Sequence, residues 1–174
     1  RPHGSLTFEQ AGAEPLGSAG EGADWLAAAR DRAAVYLAFE QIGGAKAALE
    51  KASAYALERH AFGRPIGSFQ AVKQLLADMF VSLELARANA RHACWVLASG
   101  APGLQAAAAR AHLSASAAFR HCASDAIQVH GGAGFMWETS PHLFYRRSET
   151  LARALSGPRV WEKRLVKALV ELAA

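Results

Sequence analysis

Between Ala23 and about His60, apolar residues return at helical spacing through Leu26, Ala29, Ala33, Leu37, Ile42, Ala45, Leu49 and Ala56. A periodic run of that length commits the chain to helix before anything else is read, and only the pair Gly43-Gly44 weakens it. Much of the stripe is alanine. Hydrophobic residues make up 52% of the chain but aromatic residues only 9%, a balance that favours helices packed closely through small side chains. At 174 residues one domain can bury a sufficient core without a disulfide or metal as a staple.

The remaining segments follow the same logic. Phe62-Gly63-Arg64-Pro65-Ile66-Gly67 is a loop set by glycines and a proline, and Ser68 stands where a helix N-cap is expected. A second helix should run to about Ser99, where Gly100-Ala101-Pro102-Gly103 breaks it. A third covers Leu104 to Val129 and stops at His130-Gly131-Gly132-Ala133-Gly134. A fourth should span Pro141 to about Leu155, and Gly157-Pro158 turns the chain into a shorter last helix ending near Leu172. The expectation is an all-α fold: an antiparallel four-helix bundle with an extra short C-terminal helix over residues 23–174. Residues 1–22 are rich in Gly, Pro and Glu, with one alternating piece, Ser5-Leu6-Thr7-Phe8, that reads as an edge strand lacking a partner. They are either the extended tail of a preceding β-domain or a disordered leader.

Several classes are disfavoured. The formal charge of +4 comes from basic residues scattered among acids, which is not the footprint of a nucleic-acid surface. No apolar run is long enough for a membrane span and no signal-peptide order opens the chain, so a soluble, cytoplasmic protein is expected. Cys94 and Cys122 lie in apolar helical stretches without CxxC spacing and read as buried free thiols, with a disulfide as the minor alternative. Histidines lack partners at metal-ligand spacing, so no metal is expected.

Two stretches carry chemistry. Tyr55 to Lys73 puts the guanidinium of Arg59 at a helix end, the Phe62 ring beside a glycine turn, and the Gln70 carboxamide on the next helix's first turn. Such a site suits an anion and a ring, because an arginine fork donates two hydrogen bonds at once and a helix start offers unpaired amides. The plain alternative pairs Arg59 with Glu58 or Asp78 and buries Phe62 in the core. Ala126 to Glu138 runs a helix carrying Gln128 and His130 into Gly131, Gly132 and Gly134, then into Phe135 and Trp137. Glycines let backbone approach a ligand, although they also make a flexible helix stop, and His130 also suits a cap or core role. Trp137 and Tyr36 either line a pocket or pack in the core.

Together, in this order, the two stretches resemble the signatures of the C-terminal helical domain of acyl-CoA dehydrogenases. The likeness extends from about Leu6 to Arg147, including Leu76-Ala77-Asp78-Met79 and His142 to Arg147. It is nearest to a bacterial branch linked to bulky or sterol-derived acyl-CoA. The resemblance implies a flavoprotein that removes hydrogen from Cα and Cβ of an acyl-CoA thioester with FAD as hydride acceptor, and that passes its electrons to an electron-transfer flavoprotein or similar acceptor. It implies FAD contacts for Arg59, Phe62, Gln70, Gln128, Gly131 and Gly132, with oligomerisation through the bundle. The family's usual base, a glutamate before a glycine after the fourth helix, is absent, since that position reads Leu155-Ser156-Gly157. A second arrangement places the glutamate early in the first long helix, where this chain has Ala33 and Ala34. Asp31, two residues earlier, is a base candidate pointing elsewhere, and a contact to CoA or solvent is its preferred role. Glu138 is not the base in the family. The implied partner is another copy or a sister subunit carrying the base; the alternative is a non-catalytic assembly protein that keeps the fold.

Overall fold

The computed structural model describes residues 4–18 and 20–173. Five helices dominate it: α1 (Gly22–Glu58), α2 (Gln70–Ser99), α3 (Leu104–His130), α4 (Pro141–Leu151) and α5 (Pro158–Ala173). Between α1 and α2 lies a small hairpin, β1 (His60–Ala61) and β2 (Arg64–Pro65), paired antiparallel with His60 opposite Pro65. The all-α bundle with a further C-terminal helix is the observed architecture.

Helix α3 is the central element, packed against α1, α2, α4 and α5. Its partnership with α1 has a fixed register: Gln41 bonds to Ser116 across 75 residues of sequence, and the pairs Gly44 with Phe119 and Tyr55 with His130 keep the same offset. A constant offset means that α1 and α3 run parallel and finish at the same end of the bundle, with α2 returning between them. Alanine makes this close approach possible. Ala34, Ala38, Ala45, Ala48 and Ala52 of α1 are all completely buried, repeating at the spacing of three and four that keeps one helix face toward its partner. Gly44 belongs to the same seam, since a Cβ there would sit 2.4 Å from the Phe119 ring. Of the glycine pair that weakens the helical pattern in sequence, Gly44 therefore serves packing, and α1 runs through both without a break.

Four sequence expectations need correction. Ser68 does not cap α2: it lies in a 3-10 turn, Ile66–Ser68, where its hydroxyl donates to the Pro65 carbonyl at 2.7 Å, and Phe69 precedes the helix. Helix α4 ends at Leu151 rather than near Leu155, because the chain tightens into turns before Pro158. Ser5 to Phe8 forms no strand, and residues 4–18 are exposed and irregular. The cysteines differ from each other. Cys122 is buried, its thiol pushed up to about 12 by burial and by the neighbouring Asp125, whereas Cys94 is exposed. No helix among the described residues is long and apolar enough to cross a membrane.

Candidate functional site

Because α1 and α3 end together, the chain segments that follow them meet. Tyr55 stacks on the His130 ring at 4.2 Å, and His130 is held in place by Nδ1 at 2.6 Å from the Ala126 carbonyl. Beside this stack opens a cleft of about 490 Å³ lined by Tyr55, Arg59, Ile66, Gln128, Gly131 and Gly132. The fold thus brings together four of the six residues singled out in sequence. On the other side of the same stack lies a second hollow of about 550 Å³, to which Lys51, Glu58, Trp137 and Thr139 contribute.

Among the described residues Arg59 has no ion pair, neither Glu58 nor Asp78 approaching it. Its charge contributes to the polarity of this end. Helices α1 and α3 both point their carbonyl termini here, each worth about half a negative charge, and the start of α2 returns about half a positive one. Arg59 offsets the net negative partial charge that the three helix ends leave there. Gly131, at φ 59°, turns the chain out of α3 in the left-handed region, and a Cβ on either Gly131 or Gly132 would meet no atom within 4 Å. Their backbone is therefore open to a ligand at close range.

Phe62 and Gln70 flank the cleft without lining it. Phe62 is not core: it is 95% exposed at the tip of the hairpin. It is also held at φ 53°, with Gly63 following at φ 78°. A two-residue hairpin loop with both φ values positive favours Asn or Gly first. A phenylalanine there costs about 1–2 kcal/mol of backbone strain. Its ring meets Phe69 edge-on at 6.2 Å, and Phe69 carries the Arg64 guanidinium over its face at 4.1 Å. Gln70 is the exposed first residue of α2. Tyr55, Ile66, Arg64 and Phe69 were not singled out from sequence. The one available signal was the four-residue spacing from Tyr55 to Arg59, which puts both on one helix face.

The remaining candidates fare differently. Trp137 is 82% exposed and Tyr36 70% exposed, so neither packs in the core. Asp31 does not face solvent: it is buried and receives a 2.5 Å hydrogen bond from Arg164 of α5. Burial pushes its carboxyl upward, against the hydrogen bond and charge of Arg164 and the charge of Arg30. Leu155 and Ser156 lie in the turn between α4 and α5, Leu155 packing partly against the core and Ser156 at φ 103°. Neither can accept a proton from carbon. Glu138 is exposed at the second hollow.

Comparison with known proteins fits this geometry. The family model described as acyl-CoA dehydrogenase, C-terminal domain, matches residues 20–162. The acyl-CoA dehydrogenase IpdE2 of Mycobacterium tuberculosis is 44% identical over 135 residues, which cover 78% of this chain and 41% of that protein. Butyryl-CoA dehydrogenase of Megasphaera elsdenii superimposes with a TM-score of 0.86 at 28% identity, over 89% of this chain and 40% of the other. The ChsE4-ChsE5 complex of Mycobacterium tuberculosis gives a TM-score of 0.77 at 30% identity, over 86% of this chain and 40% of the matched one. The chain thus spans about two fifths of the relatives it matches. With the family model matched over residues 20–162 and the fold shared with solved members, the chain belongs to the acyl-CoA dehydrogenase family and carries that family's C-terminal helical domain.

Proposed function

We propose that this chain is part of an FAD-dependent acyl-CoA dehydrogenase, supplying flavin contacts and an oligomer interface to a reaction whose base lies on another chain. The observation that carries this reading is the convergence of Arg59, Gln128, Gly131 and Gly132 on one cleft. The cleft fits the cofactor: a guanidinium unpaired among the described residues suits a pyrophosphate, glycine backbone without a Cβ allows close approach, and beside the cleft a strained, exposed Phe62 offers a ring face. When bound, FAD supplies the hydride acceptor. Arg59 would hold the pyrophosphate, Gln128 with Gly131 and Gly132 would line the pyrophosphate and ribityl region, and Gln70 would face the adenine end. Residues 1–22 are read as the tail of a preceding β-domain and residues 23–174 as the bundle domain. The location assigned is the cytoplasm, and the electron acceptor an electron-transfer flavoprotein or its like.

The proton at the substrate α-carbon needs a carboxylate within reach. Leu155 and Ser156 exclude the usual position, and the tie to Arg164 occupies Asp31. A sister subunit carrying the base is consistent with similarity to a member of the two-component ChsE4-ChsE5 assembly. The competing reading, an assembly protein without flavin, rests on the same missing carboxylate. Exposed apolar side chains on α1, α2 and α5, among them Trp25, Phe80, Trp95 and Val170, support a dimer or tetramer in either case.

The full gene product, purified alone and with its sister chain, should be yellow in at least one combination and should bleach with acyl-CoA only when the sister is present. Colourless protein in every combination removes the flavin reading. Bleaching by this chain alone removes the argument from the missing base.

A further inference from the structure

Tyr55 and His130 do more than border the Arg59 cleft. Their stacked rings, 4.2 Å apart and 22° from parallel, stand between two hollows, because both residues line the cleft and also the neighbouring hollow bounded by Lys51, Glu58 and Trp137. Each ring adjoins a residue that the flavin reading uses. The Tyr55 carbonyl accepts from the Arg59 amide at 2.8 Å, and the Arg59 carbonyl accepts from the Ile66 amide at 2.8 Å, so the backbone of Arg59 is tied on both sides. On α3, His130 Nδ1 donates to the Ala126 carbonyl, which fixes its ring, and Gly131 follows it directly in the chain. The last buried residues of α1 and α3 are Ala56 and Val129. Beyond them Arg59, Gly131 and Gly132 are exposed, and the stack bridges the two helix ends that carry them.

We propose that Tyr55 is a positioning residue of the cleft: stacked on His130, it sets the spacing between the Arg59 guanidinium at one helix end and the Gly131-Gly132 backbone at the other. This role rests on the flavin reading and deepens it. A pyrophosphate gripped by both groups needs them at one separation, yet one comes from the end of α1 and the other from the end of α3. Groups that must first be brought into place for a ligand weaken its binding by the ordering they require. A face-to-face aromatic pair resists sliding and tilt, and it contributes beyond the area it buries. Tyr55 is itself anchored from behind, half-buried and packed against the core. The ring is also a wall. With Tyr55 cut back, the cleft would open into its neighbour and a ligand would lose one side of its enclosure.

The test is FAD titration of the full assembly after removal of its flavin, followed by visible absorbance. Tyr55→Leu, which keeps an apolar side chain but loses the ring, should bind FAD about two- to tenfold more weakly, the worth of one aromatic pair. His130→Leu reaches the same stack from α3 and should match it, while Tyr55→Phe keeps the ring face and should hold affinity within about twofold of wild type. The deciding readout is a double-mutant cycle. If Tyr55 acts by placing Arg59, Tyr55→Leu should cost almost nothing further in the Arg59→Ala background. Full additivity of the two losses overturns the proposal, because it assigns Tyr55 to packing alone. So does a Y55F as weak as Y55L, or a Y55L or H130L that binds like wild type. A wild-type assembly that takes up no FAD is a separate result: it removes the flavin reading and the positioning role with it.

Discussion

The seam between α1 and α3 and the end where both helices finish are made from neighbouring residues of the same two helices, yet they obey opposite rules. In the seam the positions are closed and mostly small: alanines without exposure, Gly44 under the Phe119 ring, and a Gln41–Ser116 pair whose polar atoms satisfy each other. At the end, Phe62 stands in a left-handed conformation with its ring in solvent, Trp137 is open, and Arg59 is unpaired among the described residues. A chain optimised only for its own stability would not keep these. Local cost without a local return marks the surface that something else covers.

That contrast can be broken or sharpened by measurement. The largest effect belongs to the interior: Trp161→Ala should lower unfolding free energy in urea by about 3–5 kcal/mol. Trp161→Phe, which removes an unpartnered Nε1, should cost far less. Acid should act through the interior too. His112 takes up its proton near pH 4 in the folded chain instead of 6.5. Between those values the unfolded chain binds more protons, so stability falls as pH drops from 6.5 toward 4, by roughly 3 kcal/mol in the limit. His112→Gln should flatten that slope in a pH series of denaturant melts. Asp31, shifted upward, works in the opposite sense, its contribution declining as pH rises through its folded value.

Arg59→Ala is the reciprocal test at the end of the bundle. Flavin affinity, read by spectral titration of the full assembly, should fall about ten- to hundredfold, while the melt moves by no more than about 0.5 kcal/mol. Within the glycine pair the two positions should part. Gly43→Ala, with no atom within 4 Å of the added Cβ, should gain up to about 1 kcal/mol of helix propensity. Gly44→Ala should lose about 1–2 kcal/mol, because overpacking against Phe119 exceeds the same gain. Phe62→Gly should bring a gain of up to about 1 kcal/mol from released backbone strain, accompanied by weaker flavin binding. If Phe62→Gly destabilised the isolated fold instead, the hairpin tip would belong with the interior and the contrast would fail.

The sequence by itself determined the helices, because periodicity and alanine content are local properties that propensity and burial enforce together. It singled out Arg59, Gln128, Gly131 and Gly132 as candidates, since guanidinium forks and bare backbone have recognisable uses in any fold, and the fold brings the four to one cleft. It also established that Leu155 and Ser156 cannot act as a base. Only the tertiary structure decided the rest. Ser68 loses the cap to a 3-10 turn because its hydroxyl finds the Pro65 carbonyl. Gly44 becomes necessary only once Phe119 arrives from 75 residues away, at the register of the Gln41–Ser116 bond. Asp31 is withdrawn from solvent by Arg164 on α5, and His112 becomes an unpartnered ring only when Trp161 closes over it. Each of these is a meeting between distant segments, fixed by packing, and no spacing along the chain encodes it.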